Sequence, residues 1–192
     1  MRRDKKLLSD RKVAILITVV IAILATMLGV YRTSVRYTRN IEALFYDGVY
    51  LEDEGYREQS INAHLDNSAG IVLRLATLLE SYPELTEKTE DLLSARRELI
   101  AAKDIKGKSL SYDKMRLLFV ELTSAATRVD LSDRDREAIS QDVAVFNGAS
   151  IAMIRSSYND KVTEYFTGRS ALARMLGAFT PNREPSFFLT TH

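Results

Sequence analysis

Residues 13–30 read VAILITVVIAILATMLGV, from Val13 to Val30, with Lys12 immediately before the run and Arg32 just beyond it. No charged side chain falls inside. As a helix rising ~1.5 Å per residue the run is about 27 Å long, close to the hydrocarbon thickness of a bilayer. Hydrocarbon offers no water to backbone N–H and C=O groups, so a segment of this length is stable there only as a helix that satisfies them internally. A buried core helix is the first competing reading, but such a helix keeps a polar stripe, and this run has only Thr18, Thr26 and Gly29 to offer. A cleaved signal peptide is the second. Its apolar region is usually shorter and ends in small residues, whereas the exit here, Ala25-Thr26-Met27, puts a bulky Met where a small residue is needed. The run therefore reads as an uncleaved single-pass transmembrane helix, and the lipid bilayer as the first partner.

The flanks set an expected orientation. Arg2, Arg3, Lys5, Lys6, Arg11 and Lys12 precede the span against Asp4 and Asp10, while Arg32, Arg36 and Arg39 follow it before the chain turns acidic at Glu42, Asp47, Glu52, Asp53, Glu54 and Glu58. Basic residues near a span favour the cytoplasmic side. The expected organisation is a basic cytoplasmic N-terminus over 1–12, a transmembrane helix over 13–30, an extracytoplasmic helical domain over 31–179 and a C-terminal tail over 180–192, at a bacterial cell envelope.

Composition narrows the classes. A net charge of +1 leaves no large basic surface for nucleic acid once the N-terminal arm is assigned to topology. The chain has no cysteine, which removes disulfides and thiolate metal sites and suits an exported domain. Roughly 160 residues after the anchor suffice for one domain with a core. Only three prolines and eight glycines interrupt them, and β-branched alternation is scarce, so the domain should be almost pure helix.

In chain order, the first helix of the domain reads as a continuation of the span, broken near Gly48 or at Glu52-Asp53-Glu54-Gly55, where Gly55 suits a left-handed turn. Ile61, Leu65, Ala69, Val72, Ala76 and Leu79 then recur at steps of four and three, the face of an amphipathic helix. Pro83 ends or kinks it, and Leu85, Leu92 and Leu99 continue at heptad spacing to about Asp104. Residues 103–109 read as the main loop. Met115, Leu118, Leu122, Ala125 and Val129 form the next stripe, with Phe119 and Ala126 beside it. Ser132 and Asp135 have the spacing of a helix cap and its returning carboxylate. Asp130, Asp133 and Asp135 lack the glycine and glutamate of a calcium loop, so they read as a helix start. The last long helix is expected to run unbroken over 133–167, about 50 Å, with a short helix over 170–177 after it. The fold class is all-α: the span followed by an elongated antiparallel bundle of four-helix type.

The segment Ile151-Ala152-Met153-Ile154-Arg155-Ser156-Ser157-Tyr158-Asn159-Asp160-Lys161-Val162-Thr163-Glu164-Tyr165, followed by Leu176-Gly177-Ala178-Phe179 and Glu184-Pro185-Ser186-Phe187-Phe188, resembles the C-terminal signature of the bacterial LemA family. The resemblance implies a divergent member, with an N-terminal span followed by an antiparallel helical bundle. Phe166 and Gly168 stand where the family usually has Asn and Phe-Pro. The family is associated with no defined reaction, so the resemblance implies an architecture rather than a chemistry. Independently of it, Tyr158, Val162 and Tyr165 lie at i, i+4 and i+7 and share a helix face, which predicts buried aromatic area. Arg155 and Asn159, four apart, are candidates for a polar network, and Phe187 and Phe188 either fold back or dock elsewhere.

No enzyme is expected. The only histidines are His64 and His192, and a serine four residues either side of His64, at Ser60 and Ser68, has neither oxyanion hole nor orienting acid. No metal or cofactor is expected either. Two functions remain: a membrane-anchored scaffold or interaction protein for an unidentified envelope or membrane protein, and an extracytoplasmic small-ligand sensor acting through a membrane partner. The sequence does not define the oligomeric state.

Overall fold

The computed structural model describes residues 11–168 and 184–188. These are helical almost throughout: α1 Arg11–Asp47, α2 Ile61–Leu79, α3 Thr86–Ala101, α4 Ile105–Ala126, α5 Asp133–Ile154 and α6 Tyr158–Gly168. A 3-10 turn, Pro83–Leu85, leads into α3, and an antiparallel pair of two-residue strands, β1 Tyr50–Leu51 and β2 Tyr56–Arg57, lies between α1 and α2. The expected helix over 170–177 and the tail residues 180–183 and 189–192 lie outside the described residues. The chain divides into two compact units, one drawn from Met1–Asn40 and Tyr165–Glu184, the other from Ile41–Glu164 and Pro185–His192.

In the first unit, α1 carries the apolar run. It is long and apolar enough to cross a membrane, and its most apolar window has mean hydropathy 2.9 with none of its residues buried. Leu16, Ile21 and Leu24 are each more than half exposed. A core helix would hide such a window, and the described residues leave this one open. The two hydroxyls in the run bond within the helix, Thr18 Oγ1 donating to the Ala14 carbonyl at 2.9 Å and Thr26 Oγ1 to that of Ala22 at 2.8 Å. Every polar atom the run introduces is thus served by its own backbone, as an apolar medium requires.

The second unit is built on the faces that periodicity predicts. Ile61, Leu65, Ala69, Val72, Ala76 and Leu79 of α2 are all buried, as are Leu85, Leu92 and Leu99 around α3. Tyr82 and Pro83 separate two helices, so Pro83 marks a restart rather than a kink. The helices pack in antiparallel pairs. Arg74 and Tyr82 meet Asp142 and Asp135 of α5, and Lys88 and Glu98 on α3 pair with Glu121 and Lys114 on α4. Phe119 stacks on Phe146 with ring centroids 4.0 Å apart.

Four expectations change. The helix over 133–167 is two helices, because the chain turns at 155–157. The loop over 103–109 shrinks to its first residues: Asp104 caps α4, its carboxylate accepting from Gly107 N at 2.6 Å, so 105–109 are helical. The buried stripe of α4 is Tyr112, Met115, Phe119, Leu122 and Ala126, not the one through Leu118 and Ala125. Two large rings, Tyr112 and Phe119, fix that register by filling the core. Finally, the break after α1 holds a hairpin. Gly48 takes φ +80 and Gly55 φ +69, the left-handed region that favours glycine. A β-carbon at Gly48 would stand 2.0 Å from the Glu58 carbonyl oxygen, whereas at Gly55 it would meet open space.

Ser132 caps α5 as its spacing predicts, accepting from Asp135 N at 3.1 Å. The Asp135 carboxylate accepts from Ser132 Oγ at 2.7 Å and from Tyr82 Oη at 2.6 Å, and Tyr82 Oη in turn accepts from Ser132 N at 3.3 Å. One tyrosine hydroxyl thereby ties the end of α2 to the start of α5.

Two outcomes follow for the full chain in mild detergent. Gly48→Ala should cost about 3 kcal/mol or more in urea unfolding, since it adds a backbone clash to an unfavourable φ, while Gly55→Ala should cost about 1 kcal/mol for φ alone. The hydroxyls of Tyr82 and Ser132 hold the Asp135 carboxyl below its ordinary value of 3.8. Its contribution to stability is therefore complete above that value and lost as the pH falls through the lowered one. Thermal melts of Tyr82→Phe should approach those of the native chain at the acid end of that window and fall below them at neutral pH.

Candidate functional site

The residues singled out by the sequence gather around the start of α6. α5 ends at Ile154, and Arg155, the C-cap residue, has φ −86 and ψ −2 and is exposed. Ser156 then accepts from Tyr158 N at 3.3 Å through its hydroxyl, and the Glu58 carboxylate accepts from Ser157 N at 3.2 Å. An acid from the segment after the hairpin thus sits at the positive end of α6, where a helix start favours negative charge. Because the turn falls between them, Arg155 and Asn159 do not form a helical i, i+4 pair.

Asn159 instead holds the tail. Its Nδ2 donates to the Phe188 carbonyl at 2.7 Å and its Oδ1 accepts from Phe188 N at 3.0 Å. The carboxamide thereby copies the donor–acceptor pair that a neighbouring β-strand would present, and fixes one residue of extended chain. Tyr158 donates from its hydroxyl to the Ser186 carbonyl at 2.9 Å. Burial, reinforced by Glu42 and Tyr46 nearby, raises the pKa of Tyr158, so the phenol stays protonated as a donor.

Held this way, Phe188 is fully buried. Its ring meets Phe45 of α1 at 5.4 Å and Tyr112 of α4 at 6.2 Å, and Phe45 also meets Tyr158 edge-on at 5.7 Å. The Tyr112 hydroxyl pairs with Ser150 Oγ at 2.5 Å, while the buried Ser68 hydroxyl faces the same group without completing a bond of normal geometry. Val162 is buried beside them, whereas Phe187, one residue before Phe188, remains 39% exposed.

Tyr165, the last residue of the predicted face, belongs to the first unit. It is buried there, its ring stacked on Tyr37 at 5.6 Å and its hydroxyl 3.3 Å from Ser34 Oγ and 3.4 Å from Thr38 Oγ1. The face Tyr158, Val162 and Tyr165 is buried throughout, as its spacing predicts.

The arrangement is that of a docked tail. Ser60 is occupied as the cap of α2, accepting from Ala63 N at 3.1 Å. Burial lowers the pKa of His64, partly offset by Glu58. Asp133 and Asp135 serve the start of α5, and among the described residues no three His, Cys, Asp or Glu side chains come together as a metal group. Periodicity could not reveal Phe45 and Tyr112 as partners of the tail, or Glu58 as the partner of Ser157, because they come from three separate segments. The turn itself had a signal: Ser156-Ser157 followed by Asp160 is a helix-start pattern.

No family model and no curated protein matches the chain.

Removing the carboxamide leaves two backbone groups at Phe188 unserved, so Asn159→Ala should cost about 1–3 kcal/mol in unfolding and expose the tail to limited proteolysis. Phe188→Ala should cost about 3–5 kcal/mol. Phe187→Ala should stay within about 0.5 kcal/mol of the native chain.

Proposed function

We propose that this chain is a single-pass membrane protein whose second unit is an antiparallel bundle of four-helix type that serves as a scaffold for an envelope or membrane protein. The observation that carries the reading is α1: one helix contains an apolar run that the described residues leave uncovered and also supplies Ile41 and Phe45 to the core of the second unit. Under this reading the N-terminus lies in the cytoplasm and the second unit outside it. The likeness to the LemA family rests on the quoted residues, with the burial of Tyr158, Val162 and Phe188 in its support.

A helical surface is available for a partner. Leu110 and Leu117 of α4 are 64% and 63% exposed and lie seven residues apart on one face, with Val120 next to them. Such a row is unusual on a surface that stays solvated. Substitutions there should cost little stability, so they separate binding from folding. Capture of crosslinked membrane proteins by the native chain, lost on Leu110→Ser with Leu117→Ser while the melting temperature holds, supports the scaffold. Equal capture by both chains contradicts it.

A second reading, a small-ligand sensor, has one observation in its favour. A groove of about 500 Å³ between α4 and α5 is lined by Val120, Thr123, Thr127, Leu131, Ile139 and Val143. A small apolar ligand that raises the melting temperature of the native chain, but not of Ile139→Asn, supports it.

A further inference from the structure

The near-neutral charge of the chain conceals a division. The unit containing the apolar run holds twelve Lys and Arg against three Asp and Glu, whereas the other holds fifteen against twenty-three. Part of the first unit's excess precedes the run. Beyond it, within the same unit, come Arg32, Arg36, Arg39, Arg169, Arg174 and Arg183, with Glu184 as the one acid.

Arg32, Arg36 and Arg39 are spaced i, i+4 and i+7 on α1. At about 100° per residue they fall within a strip roughly 60° wide. Ser34 and Thr38 lie on the far side of the helix, where the Tyr165 hydroxyl meets them. The structure therefore covers one side of this part of α1 and leaves the arginine side open: all three arginines are exposed and none forms an ion pair among the described residues. Along the axis they stand about 3, 9 and 13 Å beyond Val30. The headgroup layer is about 5–8 Å thick on each side of the hydrocarbon. Arg32 falls within it, and the long apolar stems of Arg36 and Arg39 can lean back so that their guanidinium groups reach its outer edge. Guanidinium binds phosphate oxygens in a two-pronged geometry. The acidic second unit would be repelled by an anionic surface, so beyond the run attraction to one comes from the first unit.

We propose that Arg32, Arg36 and Arg39 form a headgroup-binding strip that selects anionic phospholipid over zwitterionic phospholipid in the leaflet where the apolar run ends. The proposal rests on the membrane-span reading and does not depend on which leaflet that is.

The test uses the full chain reconstituted in phosphatidylcholine vesicles with a minor fraction of phosphatidylglycerol, then excised with its surrounding lipid in polymer-bounded discs. The native chain should retain phosphatidylglycerol enriched about threefold over the bulk, below the roughly fivefold that one fully engaged arginine corresponds to. The triple variant R32Q/R36Q/R39Q should lose about half of that excess, the rest belonging to the basic residues before the run, and R32K/R36K/R39K, which keeps the charge but not the fork, should recover part of the loss. R97Q/K106Q/R128Q, which removes the same charge from exposed sites on the second unit, should enrich like the native chain. Bulk composition around the native chain, undiminished enrichment in the glutamine triple, or equal loss in the control overturns the strip. Alkaline carbonate separates the two readings: a native chain washed off the vesicles defeats the span itself, while a carbonate-resistant chain without enrichment defeats the strip alone.

Discussion

An apolar helix that the described residues leave uncovered has to be solvated by something apolar. The run from Val13 to Val30 presents isoleucine, leucine and valine in every direction, and its two threonines turn their hydroxyls back onto the helix backbone. Burying one such side chain is worth about 1.5–3 kcal/mol, so leaving the whole run in water would cost more than the net stability of an ordinary domain. In the proposed reading a bilayer supplies the missing cover. The proposed organisation follows from that requirement: a helix that enters the second unit at Ile41, basic residues collected at both ends of the apolar run, and a second unit in which acids outnumber bases.

The second unit depends on a different economy of groups. Its core is lined by rings, with Phe119 on Phe146, Tyr112 near both Phe146 and Phe188, and Phe45 against Tyr158 and Phe188. Rings leave few polar atoms to satisfy, and those present are tied off at specific points, Tyr112 by Ser150 and Tyr158 by the Ser186 carbonyl. Asp142 is the charged exception. Its carboxylate is nearly buried and is held by Arg74, whose side chain remains largely in water. The C-terminal segment completes this core rather than decorating it, because Phe188 fills a place between elements that are far apart in sequence.

Much of this was legible in the residues. The apolar run, the buried face of α2, the restart at Pro83, the Ser132 cap and the shared face of Tyr158, Val162 and Tyr165 are local patterns set by spacing along a helix, and spacing is visible in one dimension. What escaped was decided by partners from elsewhere. The register of α4 moved because Tyr112 and Phe119 had Phe146 to pack on. The helix over 133–167 broke because Glu58, about a hundred residues earlier, was in place to serve the exposed N–H of Ser157. Nothing in the pattern around Asp142 marks it for burial, because Arg74, its partner, lies on another helix. The hairpin escaped because two-residue strands carry no alternation, although Gly48 and Gly55 marked both of its bends. For Asn159, sequence reasoning found the residue but not its task, since nothing in the local pattern says that an amide will pair with a tail.

The most direct measurement is the accessibility of single cysteines in intact cells, which the cysteine-free background makes clean. Ser9→Cys and Glu54→Cys stand on either side of the apolar run, the second in an exposed turn. With a membrane-impermeant thiol reagent, the account predicts labelling at Glu54→Cys alone, on a membrane-bound chain whose mass still includes the run. Labelling at Ser9→Cys alone would reverse the orientation, and a chain that has lost residues 13–30 would contradict the anchor on which the rest is built.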